Sequence, residues 1–299
     1  MDFLRGSKSS FKFHTSADRP YCRLVEPRKI LELAVVREGD VAPLEGGDFK
    51  HNNTTPPSSK SISALLSNHG KTAIVTGAGA GIGLAVAEAL AESGANVAIW
   101  YHGNRKAIQR AREIEVKYGV KCKAYVSDIR QYAPVERLID TVLDDFNGRL
   151  DIFVANAGIP WKEGTFLDGS VEHYRNVMAT DLDSVFYCAR AAGRIWRRQK
   201  EEGSDCFGRF FGGAGGVEFK AGSFIATTSM SAHIVNVPQL QAAYNAAKAG
   251  VIQLVKSVAV EMVQFARANT VSPGYILTEI SDYVPEETKK IWRGKTPMG

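Results

Sequence analysis

Cysteine is scarce in this 299-residue chain, and Cys22, Cys122, Cys188 and Cys206 form no CxxC pair or other metal-ligand spacing. They read as free thiols of a reducing compartment, so a cytoplasmic location is expected. The six histidines are equally scattered, which leaves a metal site nothing to build on. No apolar run is long enough to span a bilayer, and the N-terminus lacks the apolar core of a secretory signal. Neither sign of charge is in large excess: 37 Lys and Arg against 32 Asp and Glu leave a net +5. The short basic cluster from Arg194 to Lys200 has helical spacing and reads as a solvated face, so neither nucleic acid nor membrane is expected as a partner. Internal repeats are absent.

What is present is the composition of an ordinary globular protein, 44% hydrophobic and 23% charged, sufficient for one substantial core. Residues 1–64 stand apart as an extension and linker, expected to be partly disordered. The stretch from His51 through Pro56-Pro57 to Ser61 is rich in breakers and small polar residues. Lys29 to Val36 has the pattern of one short helix or strand. The domain proper is expected over residues 65–299.

From Lys71 onward short apolar runs alternate with amphipathic segments. Strands are predicted at Thr72–Thr76, Asn96–Tyr101, Cys122–Val126, Asp151–Ala155, Ser223–Thr228 and Ala268–Val271. Helices are predicted between them, at Ile82–Ser93, Arg105–Tyr118, Pro134–Phe146, Val171–Lys200 and Tyr244–Phe265. Pro134 suits a first helical position, and Gly148 falls just past that helix's end. Alternation sustained over six strands predicts an α/β, three-layer, Rossmann-like sandwich with a doubly wound parallel sheet. Residues 203–222 break the rhythm. Gly208, Gly212, Gly213, Gly215 and Gly216 make this an inserted, flexible excursion rather than helix or strand, and one expected to alter the entrance to the site.

Two motifs carry chemistry. After the first strand comes Thr76-Gly77-Ala78-Gly79-Ala80-Gly81-Ile82-Gly83. Its glycines permit a sharp turn and let a phosphate approach the free N–H groups at the next helix's start. The spacing differs from the common Gly-x-Gly-x-x-Gly fingerprint. Farther on, Tyr244 and Lys248 lie four residues apart on one helix face. A free phenol, with a pKa near 10, is a poor proton donor and acceptor at neutral pH. A cation about 4 Å away at an effective dielectric of 20 favours the phenolate by up to roughly 4 kcal/mol. Ser229 and Ser231 follow the fifth strand, where a hydroxyl can hold a carbonyl oxygen.

Taken in order, the glycine turn, Ala155-Asn156-Ala157-Gly158, Ser229, Tyr244…Lys248 and Ser272-Pro273-Gly274 resemble the short-chain dehydrogenase/reductase family from about residue 65 onward. Local wording such as Phe186-Tyr187-Cys188-Ala189-Arg190 and Ile234-Val235-Asn236-Val237-Pro238-Gln239 is similar to its fungal NADP-dependent polyol and ketose reductases. The resemblance implies an enzyme that moves hydride between nicotinamide and a carbonyl/alcohol pair, with Tyr244 as proton donor. Lys248 would lower the tyrosine's pKa and bind the nicotinamide ribose. Ser229 or Ser231 would steady the substrate oxygen: the usual thirteen-residue separation from Tyr244 points to Ser231, the local wording to Ser229, which is preferred. Thr76, Gly77, Gly81, Ile82 and Gly83 would cradle the dinucleotide, Asp128 would lie beside adenine and Asn156 against the ribose. Ile276 and Thr278 would meet the carboxamide, and Arg190 would be a basic residue near the site. A homo-oligomer, dimer or tetramer, is also implied.

Cofactor choice is read at the end of the second strand. NAD-selective relatives place an acid there to hold the ribose 2′-OH, whereas Tyr101-His102-Gly103-Asn104-Arg105-Lys106 offers two cations. NADP, with Arg105 as a contact, is therefore expected over NAD. Trp161, His233, Asn236, Gln239, Gln241 and Tyr275 would suit a hydroxylated substrate, and either a ketose or a secondary-metabolite ketone fits. A non-catalytic, dinucleotide-binding family member is the alternative. Asp181 stands where the family carries Asn, and is expected to hold the water that leads to the lysine. The resemblance also implies a further helix and a final strand beyond Gly299, so the sheet is expected to lack its last strand.

Overall fold

The structure, a computed structural model, describes residues 61–296 apart from 213–216 and 283. The expected element at Lys29 to Val36 and nearly all of the linker lie outside the described residues. After a short helix α1, Ile62–Leu66, strands and helices alternate: β1 Thr72–Thr76, α2 Gly81–Glu92, β2 Asn96–Tyr101, α3 Lys106–Tyr118, β3 Cys122–Val126, α4 Tyr132–Asp145 and β4 Ile152–Ala155. Helix α5, Val171–Met178, then passes through a π turn, Ala179–Asp183, into α6, Ser184–Glu202. β5 Gly222–Thr227, α7 Ala242–Glu261, β6 Ala266–Val271 and α8 Glu286–Lys295 complete the described order.

All six strands are parallel, in the order β3-β2-β1-β4-β5-β6. A strand covered on both faces needs an unbroken apolar run, and β1 and β4 are buried throughout. One core is filled from α4, α6 and α7, including Ile139, Trp196 and Val255. The other is filled from α2 and α3, including Ala87, Ala91 and Ile114. Helices thus cover both faces. The chain winds outward in both directions from β1 and β4, and a crevice opens at the carboxyl ends of such a pair.

Local differences have local causes. Helix α4 begins at Tyr132, which makes Pro134 its third residue. Proline is tolerated there because first-turn N–H groups have no intrahelical acceptor. Gly148 holds φ +75° and donates its N–H to Leu143 O at 3.0 Å, ending that helix.

None of the described residues of the 203–222 segment borders the cleft described below, a correction to the expected change at its entrance. Its described parts pack at the amino ends of the strands. The Cys206 N–H meets Gly148 O at 2.9 Å, and Arg209 donates to Asn147 O at 2.9 Å. The Arg149 guanidinium donates to Val217 O and lies 4.8 Å from the Phe211 ring centroid, and Phe219 is buried. Cys206, Phe211 and Phe219 pack against the core and supply the apolar contacts that its glycines lack, so pattern and composition alone suggested a looser segment. Cys122, Cys188 and Cys206 are free, as expected.

Candidate active site

A cleft of about 710 Å³ opens at the carboxyl ends of β1, β4 and β5. Its floor is the glycine turn. Gly77 and Gly81 hold φ +66° and +55°, backbone positions that side chains rarely adopt. A Cβ on Gly77 would lie 2.8 Å from Ala157 Cα, and one on Gly83 would lie 2.5 Å from Asn156 Nδ2. The turn is therefore pressed against the end of β4 and leaves the space above it open. Ala80 caps α2 with no side-chain hydrogen bond, so the first N–H groups of that helix face the cleft available to an anion. This cradle fits a dinucleotide's phosphates. Thr76 acts differently from the other expected contacts: its buried hydroxyl accepts the Asn156 and Ala157 N–H groups, each at 3.0 Å. Asn156 in turn donates to Thr76 O at 3.1 Å.

Tyr244 and Lys248 enter the same cleft from the first turns of α7. Lys248 Nζ stands 5.5 Å from the Tyr244 ring centroid, 3.2 Å from Thr227 O and 3.1 Å from Asp181 Oδ1. Both charged partners are almost fully buried, at 3% and 0% exposure. The expected water between them is not required, because the π turn carries the carboxylate directly to the ammonium. Asp181 Oδ2 accepts the Ile159 N–H at 2.9 Å. Burial works to lower the Lys248 pKa, but the charges of Asp181 and Tyr244 outweigh it and hold the pKa above the ordinary lysine value. Burial lifts the Asp181 carboxyl above the usual range, against the opposing pull of Lys248 and the Ile159 N–H. Gly158 makes room for the pair, since a Cβ there would fall onto Asp181 Oδ1 and lie 3.1 Å from Lys248 Nζ.

Ser229 and Ser231 both line the cleft. Ser229 Oγ caps the short 3-10 turn Met230–Ala232 by accepting the Ser231 N–H at 3.1 Å. Its own hydroxyl proton is left to donate, whereas Ser231 is buried within that turn.

The remaining expected residues divide. Asp128, Ile82, Ile276 and Thr278 line the cleft. The Arg130 guanidinium grips Asp128 at 2.8 and 2.7 Å and holds its carboxyl down at about 2. Arg105 and Lys106, at the start of α3, are exposed and lie outside the cleft lining, with Lys106 Nζ 3.8 Å from Glu279. Arg190 is a correction: its guanidinium lies 5.7 Å from the Tyr132 ring centroid, away from the cleft lining. Nine positions beyond Asp181 is about two and a half helical turns, which turns it to another face. Trp161 is also outside the lining, buried with Val177 and Ala247. His233 is tied to Ser272 Oγ at 3.1 Å, as a plain loop histidine would be. Among the described residues no His, Cys, Asp and Glu cluster could hold a metal ion.

The comparisons with known proteins agree with this geometry. The family model described as enoyl-(acyl carrier protein) reductase matches residues 77–215 and 214–299. The L-xylulose reductase of Hypocrea jecorina is 56% identical over 256 residues, 86% of this chain and 87% of that protein. This chain belongs to the short-chain dehydrogenase/reductase family. The NADP-dependent mannitol dehydrogenase of Alternaria alternata is 44% identical, over 81% of this chain and 84% of the relative. Among solved structures, the NADPH-dependent 3-quinuclidinone reductase from Rhodotorula rubra superposes with a TM-score of 0.73 at 35% identity, covering 84% of this chain and 86% of its own. The chain is thus an oxidoreductase of the carbonyl–alcohol couple.

Within this family member, two cleft residues escaped the sequence reading. Arg130 could have been noticed two positions after Asp128. Trp292 could not, because the polar α8 carrying it shows no motif; its indole stacks on Tyr275 at 4.0 Å, with the planes 8° apart.

Proposed function

We propose that this chain reduces a ketone or ketose with NADPH, or oxidises the corresponding alcohol, at the cleft between the glycine turn and α7. The observation that carries the reading is that Tyr244 and Lys248 line the same cleft as Gly77, Gly81 and Gly83. NADPH, when bound, supplies the hydride. The glycine turn and the start of α2 hold its phosphates, while Asn156 and Lys248 serve the nicotinamide ribose. Ser229 donates to the substrate oxygen, and Tyr244 gives up its phenolic proton to that oxygen as negative charge develops there. The Lys248 cation stabilises the phenolate left behind, and Asp181 keeps Lys248 protonated.

NADP over NAD is supported by the absence of an acid from Tyr101 to Lys106, and by the cofactor named for the mannitol dehydrogenase relatives. The relatives named for L-xylulose, mannitol and sorbose favour a polyol/ketose couple over a secondary-metabolite ketone. A homo-oligomer is supported by exposed apolar side chains on and beside the two long helices, Phe186, Val260 and Val263. The free cysteines accord with a cytoplasmic location, and no helix among the described residues is long and apolar enough to cross a membrane.

Oxidation of NADPH at 340 nm with purified protein and a panel of ketoses and plain ketones tests the reading. Tyr244→Phe is expected to lower kcat by about 10²–10⁴-fold while NADPH binding persists. Binding without turnover in the unsubstituted protein would overturn it.

A further inference from the structure

The catalytic residues, as proposed, explain only part of the cleft. At its far end, Asn236 is 3% exposed and donates from Nδ2 to the Tyr275 hydroxyl at 3.3 Å. Its Oδ1 is buried and finds no hydrogen-bond partner among the described residues. The same holds for Gln241 Oε1, three positions before Tyr244, and for Trp292 Nε1. All three residues line the cleft. Tyr275 links two of them, holding Asn236 by its hydroxyl and Trp292 by its ring.

Buried polar groups are rarely left unpaired, because each costs the full desolvation of the group. Three such atoms around one opening indicate what completes them. Two are amide acceptors and one is an indole donor, a combination that a hydroxyl satisfies in both roles. A carboxylate or phosphate on the substrate would meet the two amide oxygens as a second acceptor and be repelled. The charged residues of the cleft lining, Asp128, Arg130, Lys248 and Glu279 among them, belong to other parts of the site, and no Lys or Arg stands beside Asn236, Gln241 and Trp292 in the lining.

We propose that Asn236, Gln241 and Trp292 form a subsite that reads the neutral hydroxyls of a ketose chain next to its carbonyl, making them the specificity-determining residues of the reaction. This rests on the reductase reading above and adds the substrate's chemistry to it. The subsite accepts a hydroxyl proton at each amide oxygen and donates the indole N–H to a hydroxyl oxygen. A site built this way rejects the analogue that lacks those hydroxyls, because its own buried groups are then left unpaired.

The test compares kcat/KM for a 2-ketopentose, L-xylulose, with that for 2-pentanone, which has the same carbon chain and no hydroxyls. The unsubstituted protein is expected to favour the ketose by about a hundredfold or more. In Asn236→Ala and in Gln241→Ala the ratio of the two values should fall about tenfold each. The ratio is insensitive to the amount of folded protein. The substrate comparison needs no variant, so it stands if a variant fails to fold. Turnover of 2-pentanone as efficient as that of the ketose would overturn the subsite and leave the reductase reading intact. Equal losses on both ketones in the variants would also overturn it, assigning the two amides to packing. Failure to turn over either ketone, or any member of the wider panel, would instead sink the reductase reading.

Discussion

Asp181 Oδ1 lies 3.1 Å from Lys248 Nζ, and the two side chains are buried together behind Tyr244. The π turn that delivers the carboxylate makes it a charged neighbour of the lysine rather than a neutral amide acting at a distance. The raised Lys248 pKa has a definite consequence for pH. Its contribution to stability is complete below the ordinary lysine value and is lost only as pH climbs through the higher folded one.

Asp181→Asn removes the charge and keeps an acceptor for the Ile159 N–H. Burial then acts on Lys248 without opposition from the carboxylate, so its pKa falls. The alkaline limb of the kcat/KM profile should move down by about one pH unit, the shift produced by a change of roughly 1.4 kcal/mol. Profiles from pH 6 to 11 check this, and an unmoved or upward-shifted limb would contradict it.

Gly158→Ala tests the same pair from the other side. A Cβ at this position overlaps Asp181 Oδ1 and crowds Lys248 Nζ, so one of the two must move. A displacement near 1 Å at reacting groups lowers rate by about a hundredfold. The expected result is a loss of that size in kcat, with NADPH affinity reduced far less because the Gly77–Gly83 cradle is untouched. Single-turnover kinetics and cofactor titration separate the two quantities.

Much of this was legible in the sequence, and the reasons are physical. The central strands Thr72–Thr76 and Ile152–Ala155 were readable because parallel strands covered on both faces require continuous apolar runs, whereas the half-exposed edge strands β3 and β6 lack such runs and were placed by the alternation with helices. The glycine turn and Tyr244…Lys248 were readable because each depends on residues adjacent in the chain. Contacts that depend on helix phase were not. Arg190 could not be excluded, nor the direct Asp181–Lys248 pair foreseen, because both depend on helix phase around the π turn at 179–183; Trp161 stands on the irregular loop after β4, where no periodicity says which way a side chain turns. Trp292 was invisible for a related reason: α8 is almost wholly polar, and its one buried side chain matters only where it meets Tyr275.

The proposed NADP preference turns on His102 and Asn104, which line the cleft, and on the exposed Arg105 and Lys106 that follow them at the start of α3. Arg105 is exposed, and Lys106 has only the loose, solvent-exposed contact with Glu279, an attachment of little worth. Both cations are therefore able to turn toward a 2′-phosphate. Replacing both with Ala should raise the KM for NADPH by about tenfold, the worth of a charge-assisted contact, and leave the KM for NADH nearly unchanged. The kcat/KM ratio for the two cofactors measures this. Equal weakening of both would place the two cations outside cofactor recognition.

The far end of the sheet yields a prediction about stability alone. Arg149 and Asp151 form a buried pair, with hydrogen bonds of 2.8 and 2.5 Å, and Asp151 also accepts the Thr72 N–H at 3.0 Å where β1 begins. Arg149 reaches onward to Val217 O and the Phe211 ring, adding to the contacts of Cys206, Arg209 and Phe219 that hold the 203–222 segment against the sheet. Arg149→Met would remove the paired charge from buried Asp151, leaving it the Thr72 N–H, and would loosen that segment. Removing one member of such a pair costs about 3–5 kcal/mol, which for a domain of this size lowers Tm by about 10 °C. The cleft lies at the opposite ends of the strands, so KM for ketone and for NADPH should hold at temperatures where the variant is folded. Thermal melts with steady-state kinetics on the same preparation decide the matter. A changed KM with an unchanged Tm would mean that the segment acts on the cleft after all.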